Sequence, residues 1–240
     1  MVGYGYFAGF HLNAWQRMQG VELVGLSETS PERRGAAKLD APGLNVLENV
    51  DKMLSTFELD ILDIATPPAT HLDLIEPQLG KVPVIICQKP FCETLPQAFE
   101  LAGLAEKSTS TIVVHENFRF QPWYREIERL LKEGRLGRVV QAHFRFRPGD
   151  GATKDAYLDR QPYFRQMEKF LIRETGVHWV DVFRFLFGEP ISLSADLFRS
   201  NPVIAGEDSG SFTFQMDDGA RIQVNAILRH INLVSAPTGV

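Results

Sequence analysis

The first eight residues carry a glycine pattern with a chemical use. Gly3-Tyr4-Gly5-Tyr6-Phe7-Ala8 is a G-x-G-x-x-A run, and Gly9 follows it. Gly3 permits a tight turn, Gly5 lets the backbone approach a pyrophosphate, and the small Ala8 allows a helix to pack closely on a strand. A helix opening near Ala8, with Tyr6 and Phe7 at its approach, offers free N–H groups to phosphate oxygens. Glu28 stands where a carboxylate would accept hydrogen bonds from the ribose hydroxyls of a dinucleotide. Thr29 and Ser30 come next, with no arginine immediately placed for a 2′-phosphate. NAD is therefore favoured over NADP, while Arg33 and Arg34 keep NADP open.

Candidates for proton chemistry are fewer. His178 follows Glu174 by four residues, which places both on one face if a helix has begun there. Histidine titrates near neutrality and can take a hydroxyl proton, with the carboxylate to orient it. On spacing alone, a buried structural histidine is the better reading of His178, and Asp181 reads as a structural or supporting group. Lys89 sits just beyond an apolar run and ahead of Pro90, at the sheet edge where open α/β folds bind ligands. Thr66, Pro67 and His71 follow another apolar run and should line the same cleft, although His71 serves equally to cap or pack its helix. Asn117 and Arg119 read equally as site residues or as a polar crossover. Arg147 and Asp150 suit a polyhydroxylated ligand and suit a solvated loop as well. No metal set emerges, because His178 and Asp181 have no complementary pair elsewhere. There is no G-x-S-x-G elbow and no P-loop.

These residues need a scaffold, and the hydrophobic periodicity supplies one. Residues 21–27, 61–66, 82–87 and 111–115 read as strands, and 11–18, 71–79 and 95–107 as helices between them. That alternation predicts parallel βαβ units in a doubly wound sheet. Beyond residue 117 the rhythm changes. Residues 122–132 and 176–187 read as helices and 139–147 as a half-buried strand. The runs 211–216 and 220–226 flank Asp217-Asp218-Gly219, a hairpin signal. The expected fold class is α/β: an N-terminal Rossmann domain over 1–117, then a partial α+β domain over 118–240 on a mainly antiparallel open sheet. Only Met1 and Val2 precede Gly3, so the first strand is expected to be mostly missing and the chain shortened at that end. Residues 235–240 do not read as a structured finish, which extends that expectation to the other end.

Composition narrows the function classes. A net charge of −5 leaves no basic excess for nucleic acid. No apolar run approaches the roughly 20 residues of a membrane span, and no signal-peptide pattern is visible. Cys87 and Cys92 fit neither a disulfide framework nor a four-ligand zinc site. A reduced, cytoplasmic protein is the simplest reading.

Four segments taken in order resemble one family. Residues 3–11, Ala65-Thr66-Pro67-Pro68-Ala69-Thr70-His71, Gln88-Lys89-Pro90 and Glu174-Thr175-Gly176-Val177-His178 look like successive signatures of the glucose–fructose oxidoreductase / inositol dehydrogenase (Gfo/Idh/MocA) family. The resemblance spans nearly the whole chain. It implies a two-domain oxidoreductase that passes a hydride between a sugar or polyol carbon and NAD(P), homo-oligomeric through its second sheet when full length. By resemblance Lys89 matches a catalytic lysine of a Glu-Lys-Pro signature and polarises the substrate oxygen. His178 is the acid/base, and Glu174 stands where an aspartate is usual. Gln88 replaces the signature's glutamate, which weakens the cofactor contact carried over to it. Asn117 and Arg119 match an Asn-x-Arg segment near the nicotinamide. His115-Glu116-Asn117 beside Trp123, with residues 157–164, resemble a sub-branch associated with D-apiose dehydrogenase. Two other readings stay open: a relative of this fold that cleaves glycosides while retaining NAD, and a non-catalytic nucleotide-binding or truncated product.

Overall fold

The computed structural model of the chain describes residues 1–229, so the expectation for 235–240 lies outside the described residues. Two compact units are present, Met1–Glu116 and a second beginning at Asn117.

In the first unit the order is α1 (Ala8–Arg17), β1 (Gly25–Ser27), α2 (Pro31–Asp40), β2 (Asn45–Leu47), α3 (Val50–Thr56), β3 (Ile61–Ile64), α4 (His71–Ile75), β4 (Val84–Gln88), α5 (Leu95–Ala105) and β5 (Thr111–His115). Local chemistry sets where the helices begin. Ser30 accepts from Arg33 N ahead of Pro31, Asn49 accepts from Lys52 N at 2.9 Å, and Thr94 forms a capping box with Gln97. The strands run parallel: β1 pairs with β2, and β3 with β4 with β5. Leu26, Met53, Leu62, Ile64, Ile75, Ile85 and Leu101 are fully buried around them. Each such side chain contributes roughly 1.5–3 kcal/mol of transfer free energy.

The two strand groups meet at Val2. It bridges Ser27 of β1 and Ile64 of β3, both in parallel. Val2 N donates to Asp63 O at 2.7 Å, and Ala65 N donates to Val2 O at 2.8 Å. On the other side Ser27 N donates to Met1 O and Gly3 N to Ser27 O. Where the first strand is expected to be mostly missing, one residue with both flanks bonded takes its place. Two further expectations change. The strand expected over 21–27 is regular only from Gly25, and β2, with only three residues, gave no periodic signal.

The second unit contains α6 (Pro122–Lys132), β6 (Gln141–Phe146), α7 (Val177–Phe187), β7 (Pro190–Phe198), β8 (Ser209–Met216) and β9 (Arg221–Ile227). Its sheet order is β6-β9-β8-β7, antiparallel except for the β6–β9 pair. The hairpin of β8 and β9 turns at Gly219, whose φ of +92° favours glycine. Phe212, Phe214, Ile222 and Val224 are buried from one face of the sheet together with Trp179, Val182 and Phe183 of α7. Alternate positions, such as Arg221 and Gln223, are exposed. A π-helix over Leu171–Gly176 runs directly into α7. Among the described residues no helix is long and apolar enough to cross a membrane.

Candidate functional site

The glycine loop shows two different needs for glycine. Gly3 has φ +87°, and a Cβ there would lie 2.8 Å from Thr66 Cγ2 and 2.9 Å from Ala65 O. Both the turn and the approach to the β3–α4 loop therefore exclude a side chain. A Cβ on Gly5 would meet nothing within 4 Å. The protein does not itself fill that space, which is where a pyrophosphate approaches in such a loop. Ala8, fully buried, opens α1, with its N–H bonded to Gly5 O at 3.1 Å. Tyr6 and Phe7 are exposed and pack on Phe10.

Glu28 lies just past β1 and is buried. Its carboxylate accepts from Tyr4 N at 2.7 Å and from Ser30 N at 2.8 Å, one on each oxygen. Two backbone bonds orient the group and leave lone pairs for hydroxyl donors. Arg34, the nearest candidate for a 2′-phosphate, instead spends one guanidinium nitrogen on Glu28 O and Thr29 O, at 2.8 and 2.7 Å. These residues fit the ribose of a bound dinucleotide.

At the β3 end, the Thr70 hydroxyl lies 2.7 Å from Thr66 Oγ1 and 2.9 Å from Pro67 O, which fixes that loop. His71 is fully buried, with Nδ1 2.9 Å from Phe91 O and Nε2 2.9 Å from Thr66 O. It braces the Thr66 loop against the segment after Lys89-Pro90. Both ring nitrogens are thus engaged with backbone carbonyls. Gln88 ends β4, and Lys89, partly exposed, follows it into a cis peptide with Pro90.

Gln88 is buried in a polar cluster. Its Nε2 lies 2.8 Å from His11 Nε2 and 2.7 Å from His115 Nδ1, and its Oε1 accepts from Lys89 N at 3.1 Å. His11 Nδ1 in turn lies 2.8 Å from Asp63 Oδ2, which also accepts from Trp15 Nε1 at 2.6 Å. Burial would raise the Asp63 carboxyl, but hydrogen bonds from His11 and Trp15 and the nearby charges hold it below the usual range. His115 is pushed down, mainly by burial and then by His11. The sequence reading missed His11, Asp63 and His115 here. A signal existed: Asp63 is a carboxylate inside the apolar strand Ile61-Leu62-Asp63-Ile64, and His11 and Trp15 share a helix face at i, i+4.

In the second unit His178 is buried in the first turn of α7, stacked on Phe118. Glu174 falls in the π-helix, so the expected α-helical i, i+4 geometry between the two does not apply. The wider i→i+5 turn shifts the face on which residue 174 projects. Arg119 forms a two-pronged pair with Asp181, its Nε 2.7 Å from Oδ2, and packs over Phe185. Arg147 bonds to Asn225 at the end of β6, and Asp150 accepts from Tyr157 and Arg160, each at 3.1 Å. These three charged groups are committed within the unit, which favours their structural reading. Asn117, partly buried, precedes the short helical turn of Phe118–Phe120. Among the described residues no group of three His, Cys, Asp or Glu is arranged to hold a metal, and Cys87 and Cys92 are free thiols.

The comparisons agree with this architecture. Residues 1–116 match the family described as "Oxidoreductase family, NAD-binding Rossmann fold", and 124–230 match the "GFO/IDH/MocA C-terminal domain". A D-apiose dehydrogenase of Paraburkholderia graminis is 36% identical over 91% of this chain and 57% of its own length. One from Rhizobium rhizogenes is 31% identical over 92% of this chain and 62% of its own. The chain thus spans about three fifths of these curated relatives. A crystal structure of an oxidoreductase from Agrobacterium radiobacter, in complex with NAD+, L-tartaric acid and magnesium, superposes with a TM-score of 0.88 at 30% identity. It is matched over 100% of this chain and 68% of that one. Glycine loop, sheet order, second domain and sequence all point the same way: the chain belongs to the GFO/IDH/MocA oxidoreductase family.

Proposed function

We propose that this chain carries the cofactor- and substrate-binding machinery of an NAD-dependent sugar or polyol dehydrogenase. The observation that carries this reading is the Gly3–Gly5 loop beside the backbone-oriented carboxylate of Glu28. A fixed carboxylate welcomes two ribose hydroxyls and repels a 2′-phosphate, which favours NAD over NADP. When bound, NAD supplies the hydride acceptor.

The chain's own residues do the rest. Gly3, Gly5 and Ala8 shape the loop that receives the phosphates, and Thr66 and Pro67 border the site. Lys89, at the C-terminal end of a parallel strand, donates a hydrogen bond to the substrate hydroxyl oxygen and stabilises the developing alkoxide. His178 takes the hydroxyl proton as the alcohol carbon is oxidised. Glu174, beside it in sequence, is assigned to a substrate hydroxyl, and Asn117 to the cofactor. The D-apiose dehydrogenases among the relatives make a branched pentose the first substrate to try.

The test is NADH formation across aldoses and cyclitols, D-apiose and myo-inositol included, with NAD and NADP in parallel. The expected result is NAD-selective turnover that falls at least about a hundredfold in Lys89→Ala and in His178→Ala, as for loss of an acid/base group. Turnover within a few fold of wild type in both variants would refute the assignment. Glycoside cleavage without net NADH would replace it with the NAD-retaining reaction.

A further inference from the structure

The polar network around Gln88 has a logic of its own, fixed by which atoms can donate. A backbone N–H only donates, so the side-chain atom 3.1 Å from Lys89 N has to be the amide oxygen. The amide NH2 then faces both imidazoles, at 2.8 Å from His11 Nε2 and 2.7 Å from His115 Nδ1. An amide nitrogen donates two hydrogens and accepts none, so both ring nitrogens must be unprotonated. His11 uses its other nitrogen to donate to Asp63, which makes it the neutral Nδ1–H tautomer. His115 is left as the Nε2–H tautomer.

Protonating either ring at these nitrogens sets N–H against N–H. The amide can answer by turning over, which presents its oxygen to the rings and its NH2 to Lys89 N. The two orientations differ in whether Gln88 accepts from the Lys89 amide. We propose that Gln88 is a positioning residue for Lys89, held in one orientation by two neutral histidines and released when that histidine pair takes up a proton. This rests on the reading of Lys89 as the residue that binds the substrate oxygen.

The groups facing the pair come from every neighbouring element. Asp63 of β3 and Glu116 after β5 act on the pair, and the Met1 amine and the Cys87 thiol of β4 lie near Asp63. Burial and the second ring oppose a charged His115. The glutamine departs from the glutamate of the family's signature at this position, and a carboxylate would accept from both rings and from Lys89 N without any turn.

The test uses the 240-residue chain with NAD present, labelled with 15N in histidine and lysine. At pH 8 the expected tautomers are Nδ1–H for His11 and Nε2–H for His115. On acidification the Lys89 amide proton should move upfield along the same titration curve as the two rings. In Gln88→Glu that movement should vanish, because the carboxylate keeps the Lys89 bond, and the rings should hold their protons about one pH unit or more higher. Opposite tautomers, or a Lys89 shift that stays flat while the rings titrate, would overturn the proposal, and the wild-type spectrum alone decides this if the variant fails to fold. With a turnover assay in hand, wild-type kcat should fall about tenfold across that titration while the KM for NAD changes less than twofold. Absent turnover with the expected spectra would count against the dehydrogenase reading and leave the switch in place.

Discussion

The imidazole of His178 lies flat on the ring of Phe118, with centroids 4.0 Å apart and planes 4° from parallel. One turn further along α7, Asp181 grips Arg119 with both oxygens. Two successive side chains of the segment after Asn117 are therefore pinned to two successive turns of one helix. The stack fixes the plane of the imidazole.

Loosening that stack should cost more in rate than in stability. Aromatic pairs of this kind contribute about 0.5–1.5 kcal/mol beyond burial. Phe118→Leu should lower Tm by a few degrees and reduce kcat roughly tenfold, since a mispositioned base loses more than its contact energy. Calorimetry beside steady-state kinetics checks this. An unchanged kcat would show that the ring merely packs.

The two glycines of the opening loop should separate cleanly. Gly3→Ala brings a Cβ against Ala65 O and Thr66 Cγ2 in a left-handed backbone conformation. It should destabilise by about 2–4 kcal/mol. Gly5→Ala meets only open space, so its melting point should stay within a few degrees of wild type while NAD binding is lost. Thermal shift with and without NAD reads both, and a destabilised Gly5→Ala would remove the argument that this space belongs to a ligand.

Stability of the 240-residue chain should depend on pH in two windows. The Met1 amine is lowered from 8.0 to about 6, chiefly by burial, with Asp63 partly opposing. An amine depressed in the folded state supports folding above its unfolded value and withdraws that support as pH falls through 6. The full difference amounts to at most roughly 3 kcal/mol. The Asp63 carboxyl is held low, so its contribution is present above the ordinary carboxylate range and is lost in stronger acid. Urea midpoints should rise from pH 6 to 8 and drop again below about 4. A flat profile from 6 to 8 would show that the amine is not buried in the folded chain.

The glycine loop and the βαβ rhythm were legible because their chemistry is local: Gly3, Gly5, Ala8 and Glu28 act through a turn, a strand and the start of a helix. The Gln88 network was not, because His11, Asp63, Gln88 and His115 come from four separate elements and meet only when the sheet is assembled. Strand β7 escaped notice for another reason. Its apolar residues Ile191, Leu193 and Leu197 are exposed at a sheet edge, and no buried stripe marked it. The π-helix has no sequence signature at all, and an α-helical count through Glu174 to His178 misplaced the first of them. For Arg119, Arg147 and Asp150 the sequence leaves both readings open, because charged residues in a loop advertise themselves equally whether they face a ligand or a neighbour.

The junction at Val2 has a mechanical meaning. The β2–β1 pair and the β3–β4–β5 group of the first unit are joined through one residue and the backbone bonds on its two flanks. In the 240-residue chain, amide protons at Ser27 and Ala65, whose bonds run to Met1 and Val2, should exchange before those in the middle of β4. The glycine loop starts at this seam, one residue beyond Val2. A nucleotide seated there would act as a rivet, closing the same line along which the sheet would otherwise part.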